Sequence, residues 1–231
     1  MEFLKILYEA IYLIFSLDSN LYEIIFLSLK TSFLATFFAS FFGFFTAYCL
    51  VIYNFKLKEL LILVINSLMG IPPVVVGLIV YFIFSNQGPL GILSFLFTPH
   101  IMIIAQMIIV YPIISSLVRE LLEDFWYTYK DTFKSYNIYK IGLLYTFIKN
   151  SYYFILTILL SAFGRAISEV GAVMIVGGNI EHYTRVMTTA IALETSIGNL
   201  EKAMSLGIVL LIVTMFINGI VFKFKNNREK R

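Results

Sequence analysis

One cysteine, Cys49, stands among 231 residues. A lone thiol excludes an intrachain disulfide and any cysteine-based metal or iron–sulfur site. The two histidines, His100 and His182, lie far apart near the edges of apolar runs, which argues against a bis-histidine haem within a bilayer. No H-E-x-x-H and no G-x-x-x-x-G-K-[ST] occurs, so the chain carries neither a zinc-protease helix nor a phosphate-cradling loop. The opening MEFLKILYEAIYLIFSLDSN lacks a cationic start, a clean apolar core and a small-residue cleavage site, so no cleavable signal peptide is expected. Charge is scarce as well: 13% of residues are Asp, Glu, Lys or Arg, against about 25% in soluble domains.

What the chain does have is apolar surface. Hydrophobic residues make up 60% of it, with a mean hydropathy of +0.89. A soluble domain of this size cannot hide that much in one core, so the sequence predicts an all-α, polytopic membrane protein. Residues 3–17 are apolar but short and carry Lys5 and Glu9, which predicts an N-terminal helix lying in the interface over 1–18. A membrane domain over 19–223 follows, with five spans: about 21–51, 60–84, 99–118, 152–176 and 200–222. If the first segment also crosses, there are six. The second span is interrupted at Gly70, Pro72 and Pro73. Proline removes backbone donors, and the carbonyls so freed need protein or water partners in lipid, so the break is expected to face the protein interior. A simple packing kink is the alternative.

Lys and Arg set the orientation. Twelve of the seventeen lie in the 51–59 loop, the 119–150 loop and the tail over 224–231 with its flank at Lys223. Five spans put all three segments on one side, which is then the cytoplasm. The 119–150 loop reads as two short helices, Lys130 to Tyr136 and Ile138 to Asn150, joined at Asn137. Its aromatics Trp126, Tyr129, Phe133 and Tyr136 suit a knob that docks a soluble partner; an amphipathic loop resting at the interface is the other reading.

The fourth span contains GRAISEVGA. Arg165 and Glu169, four residues apart, are expected on one helix face, where each relieves part of the other's cost in hydrocarbon. Gly164, Ser168 and Ala172 form a small-residue stripe beside them, suited to close helix approach. Two readings stay open: a buried pair that fixes packing, and a path for a polar solute with Arg165 facing an anion.

With these residues in hand, the chain resembles the membrane subunit of an ATP-binding-cassette importer of type I fold, closest to the tungstate permeases and their molybdate relatives. The resemblance spans about Leu27 to Val213. It is carried by SLKTS (28–32), MGIPPVVVGL (69–78), SNQGPLG (85–91), FTPHIMIIAQ (97–106), FGRAISEVGAVMIVGGNI (163–180) and TRVMTTAIALET (184–195). It implies that Asp131, Thr132, Phe133 and Asn137 occupy the ATPase-coupling pattern, with Thr and Phe where the family has alanines and Asn where it has glycine. It further implies a homodimer, two ATPase subunits that hold the ATP and magnesium, an extracytoplasmic solute-binding protein, and a bacterial cytoplasmic membrane location. No cofactor on this chain and no nucleic-acid partner are expected, while membrane lipid is. Arg165, Ser168, Glu169, Thr188 and Thr189 are the candidate translocation residues. Sulfate or another small anion is the alternative cargo, and a membrane enzyme or redox subunit the alternative class.

Overall fold

A computed structural model of the chain describes residues 8, 11–12, 19–135 and 140–229. The predicted interfacial helix over 1–18 lies outside these but for Tyr8, Ile11 and Tyr12, and Asn137 lies outside them too. Among the described residues every regular element is a helix: α1 (Ser19–Ile52), α2 (Lys58–Leu68), α3 (Pro73–Phe84), α4 (Pro99–Ser135), α5 (Lys140–Asn150), α6 (Tyr152–Ile167), α7 (Gly171–Gly177), α8 (Met187–Ser196) and α9 (Leu200–Glu229), with one short 3-10 turn at Gly91–Leu93. Helices α1, α4 and α9 are long and apolar enough to cross a bilayer, and the broken pairs α2/α3 and α5/α6 raise the number to five if each is one span.

Helix α1 shows how the sequence tolerates hydroxyls in an apolar setting. Ser28, Thr31, Ser40 and Thr46 each donate to the carbonyl four residues back. That local bond satisfies a polar group where water is absent.

Two elements depart from the sequence expectation. The helix of the third span does not end near Val118. Helix α4 runs unbroken to Ser135, so the first of the two predicted loop helices is its continuation. No glycine or proline interrupts residues 119–135, and Val118, Leu122, Phe125 and Phe133 form one buried stripe on it. Those side chains pack on Leu143 and Phe147 of α5, and this burial carries the helix past the polar residues. The fourth span is not one helix either: α6 ends at Ile167 and α7 begins at Gly171. Helix α5 meets α6 at a 77° bend, at buried Ser151.

The second span breaks where the prolines predicted. The end of α2 tightens, with Met69, Gly70 and Ile71 donating to carbonyls three residues back, and Pro73 opens α3 at a position where its missing N–H costs little. The expected burial of this break is absent within the single chain. Gly70 and Pro72 are exposed, and Ile71 lines an open apolar groove of about 360 Å³ with Phe42, Met107 and Pro112.

The chain divides into two compact units, described separately: Met1–Phe33, Pro73–Ala105 and Ile167–Arg231 form the first, Leu34–Pro72 and Gln106–Ala166 the second. In the first, α3 and α7 meet at backbone distance. A Cβ on Gly77 would stand 2.8 Å from the Ala172 Cα. A second cluster joins Leu21 of α1 with Met187 and Ala190 of α8 and with Leu206 and Val209 of α9. In the second unit, the stripe on α4 is the centre of a core that takes in Ala39 and Ala47 of α1 and Ala162 and Ala166 of α6. Ser116 Oγ donates to Asn66 Oδ1 at 2.6 Å, and the Thr46 and Tyr111 hydroxyls pair at 2.8 Å.

Gly77 and Gly164 make a contrast that thermal unfolding in detergent can read. Gly77→Ala forces backbone apart and is expected to cost about 1–3 kcal/mol, as overpacking does. Gly164, whose Cβ would meet nothing within 4 Å, should accept alanine with a gain of roughly 0.5–1 kcal/mol from helix propensity.

Candidate functional site

The site begins where α6 stops. The Ala166 carbonyl, left without a helical donor, accepts from Gln106 Nε2 at 2.9 Å, a fully buried bond. Ser168, Glu169 and Val170 are non-helical. On the far side of this break the Glu169 carbonyl accepts from the Thr188 hydroxyl at 2.9 Å. Tertiary donors replace those a continuous helix would have supplied, and they override the local preference of an apolar run to stay helical.

This corrects the expectation that Arg165 and Glu169 share a helix face. Arg165 sits in the last turn of α6 and is exposed. Glu169 lies in the break, with only 5% of its surface accessible, so the four-residue spacing no longer sets their geometry. The stripe of Gly164, Ser168 and Ala172 falls on three different pieces of chain for the same reason. Gly164 has open space around it, Ser168 is exposed, and only Ala172 joins a tight seam, the one against Gly77.

Thr188 and Thr189 are both buried at the start of α8. Thr189 Oγ1 accepts from the Val186 N–H at 3.0 Å and reaches the Val186 carbonyl at 3.1 Å, which caps the helix start. The Thr188 hydroxyl hydrogen is committed to Glu169. For either hydroxyl to donate to an anion, it must first release a backbone partner. Nearby, Thr184 Oγ1 donates to the Gly177 carbonyl at 2.6 Å and accepts from the Ile180 N–H at 2.9 Å. It fixes the turn where Gly178 takes a φ of +70°, and a Cβ there would strike the Phe97 ring.

The residues expected to couple to an ATPase separate by burial. Asp131 and Thr132 are exposed on the last turns of α4. Phe133 is turned inward, 6% exposed, and its ring lies 6.1 Å from that of Phe125, itself 5.6 Å edge-on from Phe147. Phe133 therefore braces α4 on α5 instead of presenting its ring to a partner.

Sequence reasoning missed three features: Gln106, Ser28 and the Glu23–His182 pair. Ser28 takes the Met187 N–H at 2.8 Å and so ties α1 to the start of α8. Gln106, alone in its polarity in the run IMIIAQMIIV, was the available signal for the first. Elsewhere in the first unit, Glu23 Oε2 meets His182 Nδ1 at 2.8 Å, and Arg185 pairs with Glu181 at 3.0 Å. His182 holds a φ of 57° to make its contact.

The Glu23 hydrogen bond and charge raise the His182 pKa above its ordinary value. A raised folded-state pKa means the pair contributes fully below the unfolded value of about 6.5 and is lost as pH climbs through the raised one. The hydrogen-exchange protection of residues 178–186, taken relative to the base-catalysed intrinsic rates, is therefore expected to fall as pH rises past that point, and Glu23→Gln should flatten that dependence. Protection that does not change with pH in the native chain would remove the latch.

Comparison with known proteins follows the same lines. Residues 39–230 match the family described as binding-protein-dependent transport system inner membrane component. The tungstate uptake system permease protein TupB of Peptoclostridium acidaminophilum is 39% identical over 94% of this chain and 95% of its own length. Its counterpart of the same name in Campylobacter jejuni is 34% identical over 94% of this chain and 91% of its own. A probable anion ABC transporter permease protein of Haloferax volcanii is 37% identical over 77% and 79% respectively. With broken apolar helices, a braced helical extension and a match over most of its length, the chain belongs to the family of binding-protein-dependent transport system inner membrane components.

Proposed function

We propose that this chain is the membrane subunit of an importer that carries tungstate, and molybdate next, into the cytoplasm, driven by ATP hydrolysis on a separate subunit. The two tungstate permeases that align with nearly its whole length support the cargo, and the absence of a phosphate-binding loop in the sequence supports a motor on another chain. The relative described only as an anion permease supports the wider reading, in which sulfate or another small anion is carried.

The carrying observation is the extension of α4. Its 37 residues measure about 55 Å at 1.5 Å per residue, well beyond a hydrocarbon layer of about 30 Å. Helix α5 turns back and is locked to it through Phe125, Phe133 and Phe147. The result is a stiff strut with Asp131 and Thr132 at its accessible end, the form a lever needs if a soluble ATPase is to move it. In this reading two ATPase copies seat on the struts of a homodimer, Asn137 completes the docking turn, and an extracytoplasmic binding protein delivers the oxyanion. The struts and the basic C-terminus face the cytoplasm of a bacterial inner membrane. Exposed backbone at Gly70 and Pro72 supports a second copy, because peptide groups at membrane depth need protein or water around them.

A dianion would pay tens of kcal/mol to enter hydrocarbon bare. Arg165 is proposed to offer positive potential to the oxyanion, Ser168, Thr188 and Thr189 to offer hydroxyl donors, the two threonines once their backbone bonds are exchanged, and Glu169 to be a further candidate residue of the route.

Uptake of tungstate, molybdate and sulfate in competition, by the full complex in proteoliposomes, tests the cargo; sulfate outcompeting tungstate would overturn it. Asp131→Arg is expected to leave the thermal midpoint unchanged and to abolish ATP-dependent uptake. Phe133→Ala should instead cost about 3–5 kcal/mol of stability, as a large aromatic truncation does. Full uptake by the Asp131→Arg complex would count against the lever.

A further inference from the structure

A cavity of about 270 Å³ opens in the second unit where α1 ends, α2 begins and α4 passes. That is roughly nine times the ~30 Å³ share of one water, enough for a phosphate and a short polar arm. Its floor is apolar: Val51 and Ile52, the last residues of the membrane-crossing α1, and the half-buried Trp126 of α4. Its rim is polar, with Asn54, Lys58 and Tyr127. One acid, Glu123, also lines it, and Arg119 already holds that carboxylate in an ion pair. Among the described residues no acid pairs with the Lys58 amine. Tyr127 is 63% exposed, and the Lys130 amine sits 5.4 Å over its ring, which adds positive potential beside the opening.

The surroundings place this cavity at the edge of the hydrocarbon. Tyr53, Phe55 and Leu57 are exposed on the α1–α2 loop, where aromatic side chains favour the headgroup level. The charged set Arg119, Glu120, Glu123 and Asp124 marks the same boundary on α4. We propose that this cavity binds the headgroup of an anionic phospholipid, its phosphate on Lys58 and Asn54 and its first acyl carbons against Val51, Ile52 and Trp126. The lining is matched to such a molecule twice over, cation to phosphate at the rim and apolar floor to acyl chain. A free anion uses only the first match and a soluble protein segment does not continue into the bilayer. The site is separate from the transport route proposed above and depends only on α1 crossing a membrane.

Trp126 is the sole tryptophan of the chain, so its fluorescence reports on the cavity directly. The full chain is placed in phosphatidylcholine vesicles containing equal fractions of chain-brominated phosphatidylglycerol or chain-brominated phosphatidylcholine. Stronger quenching by the brominated phosphatidylglycerol is expected. Lys58→Gln should weaken that preference about fivefold, the contribution of one cation at an anionic surface. Lys56→Gln, exposed and outside the lining, should leave it intact, and inorganic phosphate should not compete. Equal quenching by the two lipids overturns the proposal and leaves the cavity to a protein partner; displacement by inorganic phosphate overturns it in favour of a free-anion site. Should Lys58→Gln fail to fold, the comparison of the two lipids on the native chain still decides.

Discussion

Peptide groups in a bilayer have no water to turn to, and this chain interrupts its apolar helices repeatedly, so every interruption has to bring its own hydrogen-bonding partner. Gln106 serves the carbonyl at the end of α6, and Thr188 serves the one after the break. Thr184 closes the turn after α7. Ser28 accepts an amide at the head of α8 while its own hydrogen goes to Ile24. At α2 the last turn tightens to satisfy itself. These few side chains decide where the chain changes direction, and the placement of the charged and exposed residues follows from them. The apolar packing then closes around fixed points.

The helical membrane class, the proline break and the family were legible because they are written in long-range composition and in short runs of unusual residues such as Gly-Ile-Pro-Pro. The continuity of α4 was not. Polarity after Val118 looks like an exit from a helix, yet Leu122, Phe125 and Phe133 keep a helical spacing that pays off only once α5 folds back on it. The break at Ser168–Val170 was hidden for the opposite reason. An uninterrupted apolar segment reads as one helix, and the donors that allow it to stop, Gln106 and Thr188, are about sixty and nineteen residues away. Partners at such separations leave no local signal. Part of the candidate site shifts with that break: the sequence singles out Arg165 and Glu169 as residues but does not show the break that falls between them.

Charge is placed sparingly and mostly at edges. Glu194, nearly buried near the end of α8, takes Lys202 at 2.6 Å and Asn199 at 3.0 Å and so pins the turn into α9. Glu23 and His182, both well exposed, clasp a loop to the start of α1. The first pair is shielded and geometrically tight, while the second is open to solvent and to salt, where ion pairs contribute little. The first unit thus holds a firm electrostatic tie at Glu194 and a yielding one at Glu23, and the yielding one responds to pH.

The ring-braced strut of α4 and α5 has an implication for how such a subunit changes over time. Its packing resides in inward residues, Phe125, Phe133 and Phe147, while Asp131 and Thr132 stand exposed on the last turns of α4. On the function proposed above, drift at the tip can retool which motor fits without refolding the shaft, whereas substitution among the rings weakens the shaft whatever docks on it.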